Sequence, residues 1–315
     1  MPLQQRRLAV DLVLLAVLAA LWGASYTFIK IGVETIPPVT LIAARTLIAG
    51  AILCTIIVLR RVTVPRDAAT WRAFAIQACL NCVFPFTLIA AAERTVDAGL
   101  ATILNATSPV FAFLFSIAVT RREPVAARKI VGVGAGLAGT CLVVGVGALG
   151  GLGRGVGPQL AVVLASACYG GAALFGRTFR SLDPILPAAG SMVCGAAILV
   201  PLSLAVDAPW RLTPSAASVL ALLALSTVST ALAFVIYFRL IRTLGAVATT
   251  AQAYLRVPVG VAIGVLALGE SLSPTVWVGC GLVVVGVAAM SVPARVPSAG
   301  ASVWGREAHP RHRVP

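Results

Sequence analysis

The sequence predicts an all-α integral membrane protein of ten transmembrane helices, arranged as two inverted five-helix repeats. Three observations carry this reading: a composition that water cannot solvate, a regular succession of apolar runs long enough to cross a bilayer, and an internal repeat at an offset of 147 residues.

Of the 315 residues, 59% are hydrophobic and only 11% are charged. An ordinary soluble domain carries roughly 25% charged residues, so this chain lacks the charge to cover a water-facing surface, and a lipid bilayer is its expected solvent. The net charge of +14 comes from 24 Lys and Arg against 10 Asp and Glu. The basic residues sit in short clusters between apolar runs rather than along one polar face, which fits membrane topology and argues against a nucleic-acid partner. Seven cysteines, Cys54, Cys79, Cys82, Cys141, Cys168, Cys194 and Cys280, all fall within apolar runs. They read as small buried hydrophobes and not as a disulfide framework. Cys79-Leu80-Asn81-Cys82 has C-x-x-C spacing, but no second pair and no nearby histidine completes a zinc site. Neither a metal nor a cofactor is expected.

A crossing needs about 20 apolar residues. The runs that supply one are Leu12–Ile29, Val39–Leu59, Trp71–Ala92, Gly99–Thr120 and Ile130–Leu149 in residues 1–150. In residues 151–292 they are Gln159–Gly176, Ile185–Val206, Ala216–Phe238, Val247–Leu268 and Val276–Val292. The first run follows Arg6 and Arg7 as a signal peptide would, but it is too long for a typical signal-peptide core. Residues 293–315 are rich in Pro, Ser, Gly and Arg and hold both histidines, His309 and His312. They lack an apolar period and read as a disordered basic cytoplasmic tail.

With the N-terminus in the cytoplasm, the inner segments hold 18 of the 24 Lys and Arg and the outer segments hold four, Lys30, Arg94, Arg154 and Arg211. Arg45 and Arg256 lie within spans. This bias places both termini inside.

The halves match in a shared order of landmarks. Trp22-Gly23 meets Tyr169-Gly170, Phe28 meets Phe175 and Pro37 meets Pro184. Glu123 meets Glu270, and Gly132, Gly134 and Gly139 meet Gly279, Gly281 and Gly286. With gaps of one or two residues, Arg94-Thr95 meets Arg242-Thr243 and Pro109 meets Pro258. Five spans per half force the second half to enter from the opposite side, as in inverted-repeat transporters whose substrate site lies near the midplane.

Polar residues inside spans are candidates for chemistry. Arg45 lies about 9 Å into its span at 1.5 Å per residue. It either snorkels to the outer interface or faces a cavity. Arg256 lies about 14 Å deep, where a charge is expensive and marks a wet cavity or backbone carbonyls. Gln252 shares its helix face at i−4, and Tyr254 is nearby. Since no acid is embedded deep in a span, a substrate anion is the expected partner of Arg256. Asn81 and Asn105 are pathway candidates because an amide satisfies either polarity, with interhelical hydrogen bonding as the structural alternative. Asp11, Glu93 and Asp97 are the interfacial acids available for ion coupling, with facilitated diffusion as the alternative. Glu123 and Glu270 read as caps at helix entries, with a gating pair or proton site as the functional alternative. Gly134-Ala135-Gly136-Leu137-Ala138-Gly139 fits a dinucleotide-binding glycine pattern, but it lies inside an apolar run and not after a strand. The glycines instead allow close helix packing, either of the two final helices on each other or on a partner chain in a homodimer.

The motif Leu21-Trp22-Gly23-Ala24-Ser25-Tyr26-Thr27-Phe28-Ile29-Lys30, followed by Ala44-Arg45, opens a wider likeness. Tyr237-Phe238-Arg239-Leu240-Ile241-Arg242-Thr243-Leu244-Gly245, Pro258 and Gly269-Glu270 continue it. Over residues 12–292 the chain resembles the EamA-type branch of the drug/metabolite transporter superfamily. The resemblance implies ten helices, inverted repeats and alternating access, with export of amino acids or related metabolites. Trp22 of the first-helix motif joins the candidate substrate-binding residues. Arg256-Val257-Pro258 departs from the family, whose members often carry an apolar or acidic residue before that proline. The function expected is secondary transport of a small-molecule substrate. The alternatives are a membrane-embedded enzyme, for which no catalytic cluster is found, a multidrug or cationic-compound exporter, and a non-transporting scaffold or channel component.

Overall fold

A computed structural model describes residues 3–92, 95–96, 98–119, 127–145, 152, 155–259 and 274–291. Every regular element among them is helical. In chain order they are α1 (Leu3–Gly32), α2 (Pro38–Leu59), α3 (Ala68–Ala78), α4 (Phe84–Ala92), α5 (Ala98–Asn105), α6 (Ser108–Val119) and α7 (Ala127–Val144). The second half contributes α8 (Val156–Phe175), α9 (Ile185–Val206), α10 (Ala216–Ser226), α11 (Ala233–Thr243), α12 (Ala246–Thr250), α13 (residues 252–259) and α14 (Pro274–Ser291).

Local chemistry accounts for the helix starts. Pro38 opens α2, where its missing N–H would have no helical partner in any case. Asp67 caps α3 by accepting a hydrogen bond from the Thr70 N–H, which holds its carboxyl below the usual range. Ser215 caps α10 by accepting from the Ser218 N–H.

Two of the long helices contain a π-helical turn. Cys79–Val83 joins α3 to α4, and Thr227–Leu232 joins α10 to α11. The two turns begin 148 residues apart, at matching points of the repeat. Pro85 explains the first. It has no N–H for the Asn81 carbonyl, and the ladder widens so that the Phe84 N–H reaches back to Cys79. No proline marks the second, where the Thr230 hydroxyl instead donates to the Leu225 carbonyl five residues back.

Among the described residues, eight helices are long and apolar enough to cross a membrane. The fourth expected span is a shorter apolar stretch, Ile103–Val119, broken between α5 and α6. Pro109 has no N–H for the Asn105 carbonyl, and the Ser108 hydroxyl supplies the missing bond at 2.8 Å. The ninth expected span also departs from a single continuous rod. It turns at Ala251, between α12 and α13, and its remainder beyond residue 259 lies outside the described residues. Glu93, Asp97, Glu123, Glu270 and the segment 293–315 lie outside them as well.

The outer surface is apolar. Leu59 is 77% exposed and Val119 75%, a surface suited to hydrocarbon and costly in water. Polar side chains are turned inward: Arg45, Gln77, Asn81, Asn105 and Gln252 are all buried.

α7 packs on α14, and α2 packs on α9. At the first contact, a Cβ built on Gly132 would lie 2.8 Å from the Gly286 carbonyl, and one on Gly139 would lie 2.6 Å from the Gly279 carbonyl. The register makes the two helices antiparallel. It also answers the question left open by the glycine pattern: the final helices of the two halves pack on each other. α2 and α9 are antiparallel too. Thr40 donates to Asp207 through its N–H (2.8 Å) and its hydroxyl (2.9 Å), and at the far end Arg60 lies 3.3 Å from Asp183.

Candidate functional site

A cavity lies between the halves, walled by helices from both. Its volume is about 60 Å³, where a single ordered water needs roughly 10–15 Å³. α1 contributes Trp22, Ser25 and Ile29; α2 contributes Leu41, Ile42 and Arg45. The first π turn and α4 contribute Asn81 and Phe86, and α6 contributes Ser108. From the second half come Tyr169 of α8, Phe234 and Tyr237 of α11, Thr250 of α12, and Gln252 and Arg256 of α13. The breaks in the fourth and ninth spans thus deliver polar side chains to the same space, the arrangement expected where irregular backbone at membrane depth lines a cavity.

Arg45 is 2% exposed, which excludes the snorkelling reading. Its Nε donates to the Thr230 hydroxyl at 2.6 Å, and an Nη donates to the Ser229 carbonyl at 3.5 Å. Its guanidinium lies 4.1 Å from the centroid of Phe86. A cation of the first half is therefore held by the π turn of the second. Arg256 is half-buried. Its Nε donates to Gln252 Oε1 at 2.9 Å, as the i−4 spacing anticipated, and its guanidinium lies 5.4 Å from the Trp22 ring centroid.

Five of the seven expected site residues, Trp22, Arg45, Asn81, Gln252 and Arg256, line this cavity. Tyr254 and Asn105 do not. Tyr254 is fully buried, packs its ring on Gly136 and donates its hydroxyl to the Val133 carbonyl at 3.1 Å, so it joins α13 to α7. Asn105 Oδ1 accepts from the Ser166 hydroxyl at 3.3 Å, joining α5 to α8. For both, interhelical bonding is the observed arrangement.

Sequence reasoning passed over Phe86, Tyr169, Phe234 and Tyr237. A signal existed for Tyr169, which stands opposite Trp22 in the repeat. Thr230 carried none, because its importance depends on where the Arg45 side chain reaches. Asp11, weighed for ion coupling, lies away from the cavity with Oδ1 3.6 Å from Arg239 Nε.

Below the cavity, aromatic rings continue in contact. Trp22 meets Phe234 at 5.9 Å, Phe234 meets Phe238 at 6.3 Å, Phe238 meets Phe179 at 6.1 Å, and Phe179 meets Phe74 at 5.3 Å. Trp71 ends the series at the start of α3. On the opposite side the lining reaches Val33 and Pro38, at the junction of α1 and α2.

Apolar membrane-length helices wrapped around an internal cavity with one buried and one half-buried cation on its wall define a multi-pass membrane protein of the transporter class. The EamA-like transporter family model matches residues 11–145 and again 158–292, and the chain belongs to that family. It is 28% identical to the uncharacterized inner membrane transporter YedA of Escherichia coli (strain K12), over 85% of this chain and 86% of that protein. It is 24% identical to the uncharacterized transporter YoaV of Bacillus subtilis (strain 168), over 85% and 91% of the two chains. One solved crystal structure superposes with a TM-score of 0.74 at 18% identity, covering 90% of this chain and 97% of the other, a likeness of fold.

Proposed function

We propose that this protein is a secondary transporter that exports amino acids or related small carboxylate metabolites across the cytoplasmic membrane by alternating access. The observation that carries the reading is the cavity between the halves, with Arg45 and Arg256 on its wall. Ten spans in two oppositely inserted repeats complete the scaffold. Two features support the inversion. The antiparallel contacts pair Gly132 with Gly286 and Gly139 with Gly279, and the 147-residue repeat exchanges one pair for the other, as a two-fold axis between the halves requires. The matched π turns repeat the same relation.

In this mechanism both termini are cytoplasmic. The ring series from Trp22 to Trp71 is then the closed inner gate, and the Val33–Pro38 side is the outer approach. Substrate enters when the halves rock apart at the rings, and its negative group meets the cavity cations. Arg256 Nε is held by Gln252, so the guanidinium is already oriented before substrate arrives.

Counterflow by purified protein in proteoliposomes tests the reading. Arg256→Leu should keep the protein in the membrane and lower exchange at least about tenfold, the loss of one charge-assisted contact. Full exchange by this variant rejects the role of Arg256, and absence of saturable flux in the unmodified protein rejects transport.

A further inference from the structure

We propose that Arg45 and Asn81 form a carboxylate-binding subsite beside the paired π turns, and that the cavity takes organic anions with an apolar body in preference to zwitterions or amines. The inference rests on the transporter reading above and narrows its substrate class.

Asn81 is the first support. It stands in the first π turn, lines the cavity and is 2% exposed. Its Nδ2 has no hydrogen-bond partner among the described residues. A buried amide donor calls for an acceptor, and a cavity ligand can supply one. Arg45 lines the same cavity from α2, with its guanidinium plane set by Thr230, Ser229 and the Phe86 ring. A fixed planar guanidinium and an amide N–H₂ on the wall of one cavity can each take an oxygen of a carboxylate.

The second support is charge. Among the described lining residues the charged groups are Arg45 and Arg256, both cations. Of the described acids, Asp11 pairs with Arg239, Asp183 with Arg60, Asp207 with Thr40, and Asp67 caps α3; Glu34 is exposed in the turn after α1, next to Val33 but not among the lining residues. Gln252 Oε1, an uncharged acceptor on the wall, is taken by Arg256. The hydroxyls of Ser25, Ser108 and Thr250 donate to carbonyls of their own helices or turns. Their oxygens can accept a hydrogen bond but do not neutralise an ammonium. An ammonium would therefore enter a low-dielectric space beside two like charges, where repulsion is strong. Trp22, Phe234, Tyr237, Leu41 and Ile42 provide apolar wall for the rest of the ligand.

Three probes that share one body separate the charge states: 3-phenylpropanoate, phenylalanine and 2-phenylethylamine. Binding is read by thermal shift of the purified protein and exchange by counterflow. The propanoate should bind at least about tenfold more tightly than phenylalanine, and the amine most weakly. Asn81→Asp preserves side-chain size, removes the donor and adds a carboxylate. It should cost the propanoate about tenfold in affinity and improve the amine relative to the unmodified protein, a gain that damage to packing does not produce. Asn81→Leu should weaken the propanoate without that gain. Equal or better binding of phenylalanine or the amine by the unmodified protein overturns the subsite and leaves transport intact. Unchanged propanoate affinity in Asn81→Asp, or no binding of any probe, overturns it too. Tight propanoate binding without exchange upholds the subsite and rejects transport instead.

Discussion

Arg45 and Arg256 show how little depth along a helix reveals about a side chain. Both were legible as charges inside apolar spans. Arg45 is nearer the end of its expected span yet is the more deeply buried, because it faces α10–α11 and not lipid. Its hydrogen bonds and its stacking on Phe86 require a planar group. Arg45→Lys should therefore insert normally and still lose at least about tenfold in exchange, since an ammonium cannot reproduce the fork. Near-normal exchange by this variant means that charge alone suffices. Tyr254 makes the opposite case. Tyr254→Phe removes one interhelical hydrogen bond and should lower stability by about 0.6 kcal/mol, up to about 1.7, while leaving exchange unchanged. A large fall in exchange at unchanged thermal stability returns Tyr254 to the transport pathway.

At the scale of elements, breaks and close contacts carry the information. The π turns and the interrupted fourth and ninth spans bring Asn81, Ser108, Thr250 and Gln252 to one cavity. Pro85 and Pro109 announced two of these irregularities, because each removes a donor from the helix ladder. The turn at Thr227–Leu232 and the break at Ala251 had no such mark. The α7–α14 contact depends on glycine where the backbones meet. Gly286→Ala would put a methyl 2.7 Å from the Gly132 carbonyl, whereas Gly281 has nothing within 4 Å. Overpacking typically costs about 1–3 kcal/mol. A fall in melting temperature is expected for Gly286→Ala and none for Gly281→Ala. Equal melting temperatures for the two variants discount the contact.

The molecule as a whole is organised by its solvent, with apolar side chains outside and polar ones between helices. The proposed topology rests on the distribution of lysine and arginine. In a variant lacking the native cysteines, Thr63→Cys should react with an impermeant thiol reagent only from the cytoplasm, and Thr213→Cys only from outside. The reverse pattern inverts the proposed orientation. If the aromatic series is the inner gate, Phe179→Ala breaks it between Phe238 and Phe74. A cysteine placed at Ser25 should then label from the cytoplasmic side several-fold faster. Unchanged labelling removes the gate from that series.

Composition, run length and the repeated landmarks were enough to determine the membrane solvent, the helical class and the duplication, and the resemblance of its motifs pointed to the family. Each is set by local or summed properties of the chain: hydropathy over about 20 residues, a proline's missing donor, and the order of glycines. Which residues share the cavity was decided only in the folded molecule. Asn81 and Asn105 look alike in sequence, yet one faces the cavity and the other is bonded to Ser166. Arg45 finds its partners 184 and 185 residues away. Side-chain direction depends on how a helix is rotated against its neighbours, and that rotation is fixed by packing between halves that no stretch of sequence contains.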